Sequence, residues 1–149
     1  MIALIQRVTE ASVTIEGQVT AQIGAGLLAL IGVEKMDNLK SAQILAQRIL
    51  SYRVFSDKHG KMNLDVLQAS GQLLLVPQFT LVADTQKGRR PGFSRAATPA
   101  QASELFDDLV AEVRKEAGFV NQGTFGADMQ VALINDGPVT FWLQSGSTA

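Results

Sequence analysis

Short apolar runs, with an alternating segment at Val13 and Ile15, occupy the first 33 positions of the chain and predict β-strands separated by short turns. The predicted strands are residues 2–8, 13–15, 19–23 and 27–33, with a turn at Glu16 and Gly17. The period then changes, and a helix is predicted to begin at Asp37 or Asn38. Its apolar face consists of Leu39, Ala42, Ala46, Ile49 and Leu50.

The middle of the chain is predicted to contain a bent strand followed by a long polar loop. Residues 73–76 and 79–82 are apolar runs of the kind found in strands. Pro77 lies between them and cannot donate a ladder hydrogen bond, which favours a kink. Residues 83–97 are polar and long enough to indicate either a functional loop or disorder.

A second helix is predicted to follow this loop directly. Thr98, Pro99 and Gln101 are typical of a helix start with a capping box, and Gly118 is a stop signal. Residues 129–134 and 139–143 are predicted to be strands joined in a hairpin by residues 135–138. With no repeat or linker, residues 1–149 are expected to form a single α/β or α+β domain, with residues 145–149 as a frayed tail.

Composition narrows the class of protein. The 149 residues are 46% hydrophobic and carry a net charge of -1, which excludes a globally basic nucleic-acid binder. No cysteine is present, so a disulfide framework, a thiolate zinc site and a cysteine nucleophile are excluded. Residues 1–7 lack the charged start and long apolar centre of a signal peptide, so none is expected here. The longest near-apolar stretch, residues 24–33, is about half of the ~20 residues that cross a bilayer. We therefore expect a cytoplasmic protein without a membrane partner.

His59 is the only histidine and the residue that a search for a general base would select first. It lies in the polar turn of residues 57–60, where a histidine is more often solvated than catalytic. A histidine-rich metal site cannot be built from one histidine, and we expect neither a metal nor another cofactor.

A cationic loop is a better candidate for a binding site. No acidic residue occurs between Asp84 and Glu104, and four of the 13 basic residues lie in this stretch. They are Lys87, Arg89, Arg90 and Arg95. Taken alone, such a run is more often a solvated surface than a site, but its glycines and Phe93 favour close approach to phosphate and base stacking.

Two short motifs favour a functional site over a merely solvated polar surface. They are Gln78-Phe79-Thr80-Leu81 and Asn135-Asp136-Gly137-Pro138-Val139-Thr140. Separately, each is explained by a bent strand or a hairpin turn. Together with residues 1–7, 27–33, 60–63, 87–93 and 127–142, they closely resemble the D-aminoacyl-tRNA deacylases, also called D-tyrosyl-tRNA deacylases. The resemblance runs from residue 1 to about residue 144.

This resemblance implies an α/β domain of mixed, barrel-like β-sheets with helices packed on one side. It also implies a homodimer with composite active sites, which hydrolyses the ester between a D-amino acid, or mischarged glycine, and the 3′ end of tRNA. Gly137 and Pro138 would be joined by a cis peptide and project into the partner's pocket, where their carbonyls exclude L-amino acids. The partner that the resemblance implies is aminoacylated tRNA rather than DNA.

The family motif usually begins with serine, whereas this chain has Pro77. The resemblance therefore implies catalytic roles for Gln78, Phe79 and Thr80, and we assign no role to Pro77. A related deacylase class with altered substrate choice also has proline before its glutamine, which leaves such a deacylase as an alternative.

Hydrolysis of an aminoacyl ester is chemically possible with Gln78, Phe79 and Thr80. The 2′-hydroxyl beside the ester can help to place or activate water, so the protein has to position the substrate and supply N–H groups for the oxyanion. Pro77 has no N–H, so the donors are expected from Gln78 onward, with Phe79 and Thr80 favoured. The Thr80 hydroxyl has no adjacent base and is interpreted as a positioning group rather than a nucleophile.

We expect Lys87, Arg89 and Arg90 to hold the tRNA end. A non-catalytic RNA-binding module and a structural protein that only pairs subunits remain as competing hypotheses.

Overall fold

Strands and helices alternate along the chain after an initial run of three strands. The computed structural model describes residues 1–146. The strands are β1 (Ile2–Ile15), β2 (Gln18–Ile23), β3 (Gly26–Gly32), β4 (Phe55–Ser56), β5 (Met62–Leu64), β6 (Gln72–Pro77), β7 (Asn121–Gln122) and β8 (Gln130–Gln144). The α-helices are α1 (Leu39–Ser51) and α2 (Pro99–Ala117), and a 3-10 helix spans Phe79–Val82.

The sheet forms around β1. This strand pairs antiparallel with β3 along its first half, with β2 along its second half and with β8 on its other edge. β6 and β7 extend the sheet as parallel neighbours of β3, so the strand order is β2-β1-β3-β6-β7. Because β2 also contacts β6 and β7, the sheet curls into a barrel-like shape. The mixed, barrel-like α/β fold implied by the resemblance is confirmed.

The central strands β3 and β6 are buried on both faces. In β3, Leu27 and Ala29 pack with residues of both helices, whereas Leu28 packs with residues of β1 and β2 in a second apolar cluster. β6 repeats this alternation, since Leu75 belongs to the first cluster and Leu74 to the second. Burial on both faces explains why these strands are continuous apolar runs in the sequence. The helices contribute only to the first cluster and therefore lie on one side of the sheet.

The predicted start of α1 is confirmed in its details. Asn38 is the N-cap, and its Oδ1 accepts a hydrogen bond from the backbone N–H of Ser41 at 3.1 Å. The Ser41 Oγ accepts from the backbone N–H of Asn38, also at 3.1 Å, which completes a capping box.

The start of α2 follows the prediction only in part. Thr98 caps the helix by accepting from the Gln101 N–H at 3.2 Å, and Gly118 ends it with a φ of 74°. The Gln101 side chain does not return to Thr98, so the predicted capping box was wrong in its second half. The Gln101 Nε2 instead donates to the carbonyls of Lys35 and Asp37, at 3.1 Å each. These carbonyls are within reach because the start of α2 lies beside the start of α1.

Three predicted strands have a different structure. Residues 2–8 and 13–15 belong to one strand, β1, which passes from its pairing with β3 to its pairing with β2 without a break. Residues 79–82 form a 3-10 helix and not a second strand. The parallel ladder ends where Ile31 faces Pro77, because proline cannot continue it. The kinked strand predicted across Pro77 was therefore wrong in its second half, since the strand ends there instead of bending.

The predicted hairpin at residues 135–138 was also wrong. Both halves of β8 pair with β1 in the same direction, with Asn135 opposite Val8 and Thr140 opposite Gln6. Four residues, 136–139, therefore face Arg7 alone and form a large bulge in one continuous strand. The Asn135 side chain closes this bulge: its Oδ1 accepts from the N–H of Val139 at 2.7 Å, and its Nδ2 donates to Thr140 Oγ1 at 2.8 Å.

The described chain ends beside its beginning. Ser145 is 5% exposed, and its backbone N–H and Oγ both donate to the Met1 carbonyl, at 2.9 and 3.3 Å. The fraying predicted from residue 145 therefore does not hold for Ser145, and residues 147–149 lie outside the described part. Among residues 1–146, neither helix is long and apolar enough to cross a membrane.

Candidate functional site

An apolar cavity of about 480 Å³ opens where the parallel strands β3 and β6 end. The carboxyl ends of parallel strands are a common place for ligand sites in α/β folds. The wall opposite the strands is formed by the first two turns of α2 and by residues 125–131. The larger apolar side chains in its lining include those of Ile31, Pro77, Phe79, Phe106, Phe125 and Met129.

The sequence motif at residues 78–80 forms one edge of this cavity and presents backbone donors there. The N–H of Gln78 is occupied, since it donates to the Ile31 carbonyl at 2.7 Å. Phe79 and Thr80 begin the 3-10 helix, whose first N–H groups have no acceptor inside the helix. No acceptor for these two groups exists elsewhere in residues 1–146. Phe79 and Thr80 are thus the available donors, and the Gln78 amide is not.

The Thr80 hydroxyl is hydrogen-bonded to the side chain two residues earlier. Its Oγ1 accepts from Nε2 of Gln78. A carboxamide is a poor proton acceptor and cannot serve as the general base that a threonine nucleophile needs. This contact therefore fixes the orientation of both side chains at the cavity edge without activating the hydroxyl.

The cationic loop is attached to the same edge. The backbones of Asp84 and Gly92 exchange hydrogen bonds of 2.7 and 3.0 Å, which closes the loop at its base. Lys87, Arg89 and Arg90 are all exposed, and within residues 1–146 none of them forms a salt bridge. Beyond the base, the ring of Phe93 lies 5.4 Å from the ring of Phe79, measured between centroids.

Gly137 and Pro138 lie in the bulge of β8 and are joined by a cis peptide, as the resemblance implied. Both residues are exposed, and neither lines the cavity of its own chain. A single chain therefore brings together Gln78, Phe79, Thr80 and the cationic loop, but not the Gly137-Pro138 pair.

Arg7 supports this bulge, a role that sequence reasoning missed. Its side chain is only 15% exposed, and its Nε donates to the Asp136 carbonyl at 2.9 Å. One Nη donates to the Val54 carbonyl at 2.7 Å, which ties the bulge to the segment entering β4. Arg7 is the one basic residue of β1, and this was the available signal.

His59 lies outside the cavity, in the exposed turn between β4 and β5. Its backbone N–H donates to Asp57 Oδ1 at 2.8 Å. Hydrogen bonds from the Asn63 side chain, and then from the N–H groups of Lys61 and His59, lower the pKa of the Asp57 carboxyl. Asp57 thus stays ionised and organises the turn, in agreement with the interpretation of His59 as a turn residue.

Comparison with known proteins places this geometry in a family. The family described as "D-Tyr-tRNA(Tyr) deacylase" matches residues 4–144. Relatives named D-aminoacyl-tRNA deacylase from Escherichia coli (strain K12 / DH10B) and Shigella boydii serotype 18 are each 60% identical over 144 residues. These alignments cover 97% of this chain and 99% of each relative.

Two solved structures have the same fold. One, described as "c-Myc DNA Unwinding Element Binding Protein", is 38% identical with a TM-score of 0.93, over 99% of this chain and all of that one. The other, described as "Structural Analysis of a probable eukaryotic D-amino acid tRNA deacylase", is 16% identical with a TM-score of 0.82, over 95% of this chain and 97% of that one. Since the family match extends over nearly the whole sequence, the chain belongs to the D-Tyr-tRNA(Tyr) deacylase family.

Proposed function

We propose that the protein hydrolyses the ester between a D-amino acid and the 3′ end of tRNA and spares the L-aminoacyl ester. The family match and the name of the 60% identical relatives support the deacylase reaction. The structural observation that carries the proposal is the pair of unpaired N–H groups, within residues 1–146, at Phe79 and Thr80 beside an apolar cavity. We place the reaction in the cytoplasm, where its substrate occurs.

The two N–H groups act on the oxyanion of the reaction. The oxygen of water bonds to the ester carbonyl carbon, the bond from that carbon to the 3′ oxygen breaks, and the 3′ oxygen leaves with a proton. Donors that are already in place stabilise the negative charge on the carbonyl oxygen, and one such donor contributes about 10²–10³ in rate. The 2′-hydroxyl next to the ester places the water, because no cysteine is present and His59 lies outside the cavity.

The cavity takes the terminal nucleoside of the tRNA. Its volume of about 480 Å³ lies within the range of small-molecule sites, roughly 300–1,000 Å³. The rings of Phe106 and Phe125 and the thioether of Met129 give it apolar walls suited to a purine. With the base in the cavity, the ester on its ribose lies at the edge where Phe79 and Thr80 present their N–H groups.

The chiral filter, by which we mean the Gly137-Pro138 pair that rejects L-amino acids, is contributed by a second copy of the chain. Gly137 and Pro138 project from a bulge that is held by Asn135 and Arg7, and they lie away from the cavity of their own chain. In a two-fold dimer the bulge of each subunit enters the cavity of the other, which yields two equivalent sites. The exposed Ile134 and Trp142 on the same strand supply apolar surface for such a dimer.

The direct test compares D-Tyr-tRNA, L-Tyr-tRNA and glycyl-tRNA as substrates of the purified protein. We expect hydrolysis of the D-tyrosyl and glycyl esters and little hydrolysis of the L-tyrosyl ester, because rigid carbonyls reject the misplaced side chain. Equal cleavage of the two enantiomers contradicts the filter, and the absence of any turnover supports a non-catalytic RNA-binding module. The variant Pro77→Ser shows whether proline at this position alters the preference among the three substrates.

Thr80→Val separates a positioning role for the hydroxyl from a nucleophilic one. We expect turnover of D-Tyr-tRNA to fall about tenfold or less, the size of one lost hydrogen bond from Gln78. Thr80→Ser keeps that hydrogen bond and serves as the control. A loss of several orders of magnitude in the valine variant, with full activity in the serine variant, would instead identify Thr80 as the nucleophile.

We assign the cationic loop to tRNA and not to DNA, although the 38% identical structure is named for binding a DNA element. The net charge is -1, and the loop has only four cations, which suits a short single-stranded end better than a duplex. An excess of duplex DNA is expected to leave the turnover of D-Tyr-tRNA unchanged. Inhibition that follows the DNA concentration would argue for a shared surface.

A further inference from the structure

Two aromatic rings lie exposed beside the cavity. Phe79 is 62% exposed and Phe93 is 39% exposed, and their centroids are 5.4 Å apart with the ring planes tilted by 42°. We call this pair the aromatic platform. Aromatic side chains dominate buried cores, so two of them in contact on the surface suggest a ligand rather than a contribution to folding.

The platform connects the two parts of the proposed binding surface. Phe79 lines the cavity, and Phe93 directly follows Gly92, which closes the base of the loop that carries Lys87, Arg89 and Arg90. The contact between the two rings therefore joins a residue of the cavity lining to the base of the cationic loop.

We propose that the aromatic platform stacks the base of the penultimate nucleotide at the single-stranded 3′ end of the tRNA. The proposal rests on the assignment of the cavity to the terminal nucleoside, because the neighbouring nucleotide is then the first that reaches the cavity mouth. Base stacking on aromatic rings is the usual way in which proteins hold unpaired nucleotides, and it tolerates any base. The adjacent cations bind the phosphates that join these nucleotides.

Phe93 allows a test that does not touch the catalytic donors. Its backbone carbonyl accepts from the N–H of Ala96 at 3.1 Å, a contact that a side-chain substitution preserves. Phe93→Ala removes half of the platform, Phe93→Leu keeps apolar bulk without a π face, and Phe93→Trp keeps the π face. Phe119→Ala is the matched control, because Phe119 is 79% exposed, follows the end of α2 and does not line the cavity.

The first measurement compares KM for D-Tyr-tRNA with KM for the 3′ D-tyrosyl ester of adenosine, which lacks the penultimate nucleotide. Phe93→Ala is expected to raise KM about tenfold for the tRNA only, which equals about 1.4 kcal/mol and lies within the range for one stacked base. Phe93→Leu should resemble the alanine variant, and Phe93→Trp should resemble the wild type. An equal change for both substrates, or a leucine variant as good as phenylalanine, overturns the proposal.

The second measurement needs no catalysis. The wild type is titrated with the RNA trinucleotide CCA and with the same trinucleotide carrying an abasic site at the middle position. We expect the wild type and Phe119→Ala to prefer the intact trinucleotide about tenfold and Phe93→Ala to bind both equally. No preference in the wild type overturns the platform. A wild type that prefers the intact trinucleotide but fails to cleave D-Tyr-tRNA would refute the proposed function and leave the platform standing.

Discussion

Replacing Gly137 with alanine is expected to lower the turnover of D-Tyr-tRNA by about 100-fold, the loss that a shift of about 1 Å in the groups positioning a substrate can cause. A Cβ at this position would lie 2.6 Å from Cγ2 of Val139 and 2.8 Å from its backbone nitrogen. The φ of 148° is also one that residues with side chains rarely adopt. The added methyl therefore displaces the bulge itself, and with it the two carbonyls proposed to face the substrate.

A matched control separates this effect from a general loss of stability. Gly17 also has a positive φ, 78°, in the turn between β1 and β2, and a Cβ there meets nothing within 4 Å. Gly17→Ala is expected to cost about 1–2 kcal/mol of stability through its backbone alone and to leave specific activity unchanged.

Thermal melts, sedimentation and enantiomer preference are measured on both variants. If the composite-site hypothesis is correct, Gly137→Ala loses activity per folded dimer, or accepts L-Tyr-tRNA, beyond anything seen in Gly17→Ala. If Gly137 serves only the local shape of β8, its variant will melt earlier while specific activity and enantiomer preference stay normal.

Features that depend on neighbouring residues could be predicted from the sequence. Asn38 and Thr98 cap their helices because the side chain, the N–H it accepts from and the first turn lie within four residues. The interruption of β6 at Pro77 follows from the missing N–H of one residue. Pro77 and the motif after it therefore pointed to Phe79 and Thr80, whose N–H groups have no acceptor within residues 1–146.

Features that depend on distant partners could not be predicted in the same way. Asp136 and Gly137 carry the strongest local signal for a hairpin, yet β1 pairs with both flanks of this segment and turns it into a bulge. The hydrogen bonds of Arg7 to Asp136 and Val54 join residues that are 129 and 47 positions away. No local pattern reports such a contact.

The cavity wall of residues 125–131 illustrates the same limit. Residues 125–128 carry no strand or helix pattern in the sequence, and residues 129–131 were predicted only as the start of a strand, yet together they line the cavity beside the first turns of α2. The resemblance had selected residues 127–142 as a motif, but only the folded chain shows that the first part of this motif lines the cavity while the Gly137-Pro138 pair lies elsewhere.

The second large effect is a loss of tRNA affinity when the cationic loop is neutralised. We expect the triple variant Lys87→Gln/Arg89→Gln/Arg90→Gln to bind tRNA about 100-fold more weakly at 0.1 M salt. Each phosphate contact on a single strand contributes about 0.7 to the slope of log K against log[salt], so three contacts contribute about 2. The binding deficit should then shrink to nearly nothing at about 1 M salt, where counterion release no longer favours binding.

Binding is measured by titration with uncharged tRNA over a range of salt concentrations, and turnover is measured at saturating D-Tyr-tRNA, where it should change little. The control Arg48→Gln/Lys115→Gln removes two exposed charges from the last turns of α1 and α2, whereas the cavity is lined by the first turns of α2. A parallel loss in this control would mean that only the overall charge of the protein matters. An unchanged salt slope in the triple variant would mean that the loop is solvated, and that the tRNA end is held by the cavity and its aromatic rings alone.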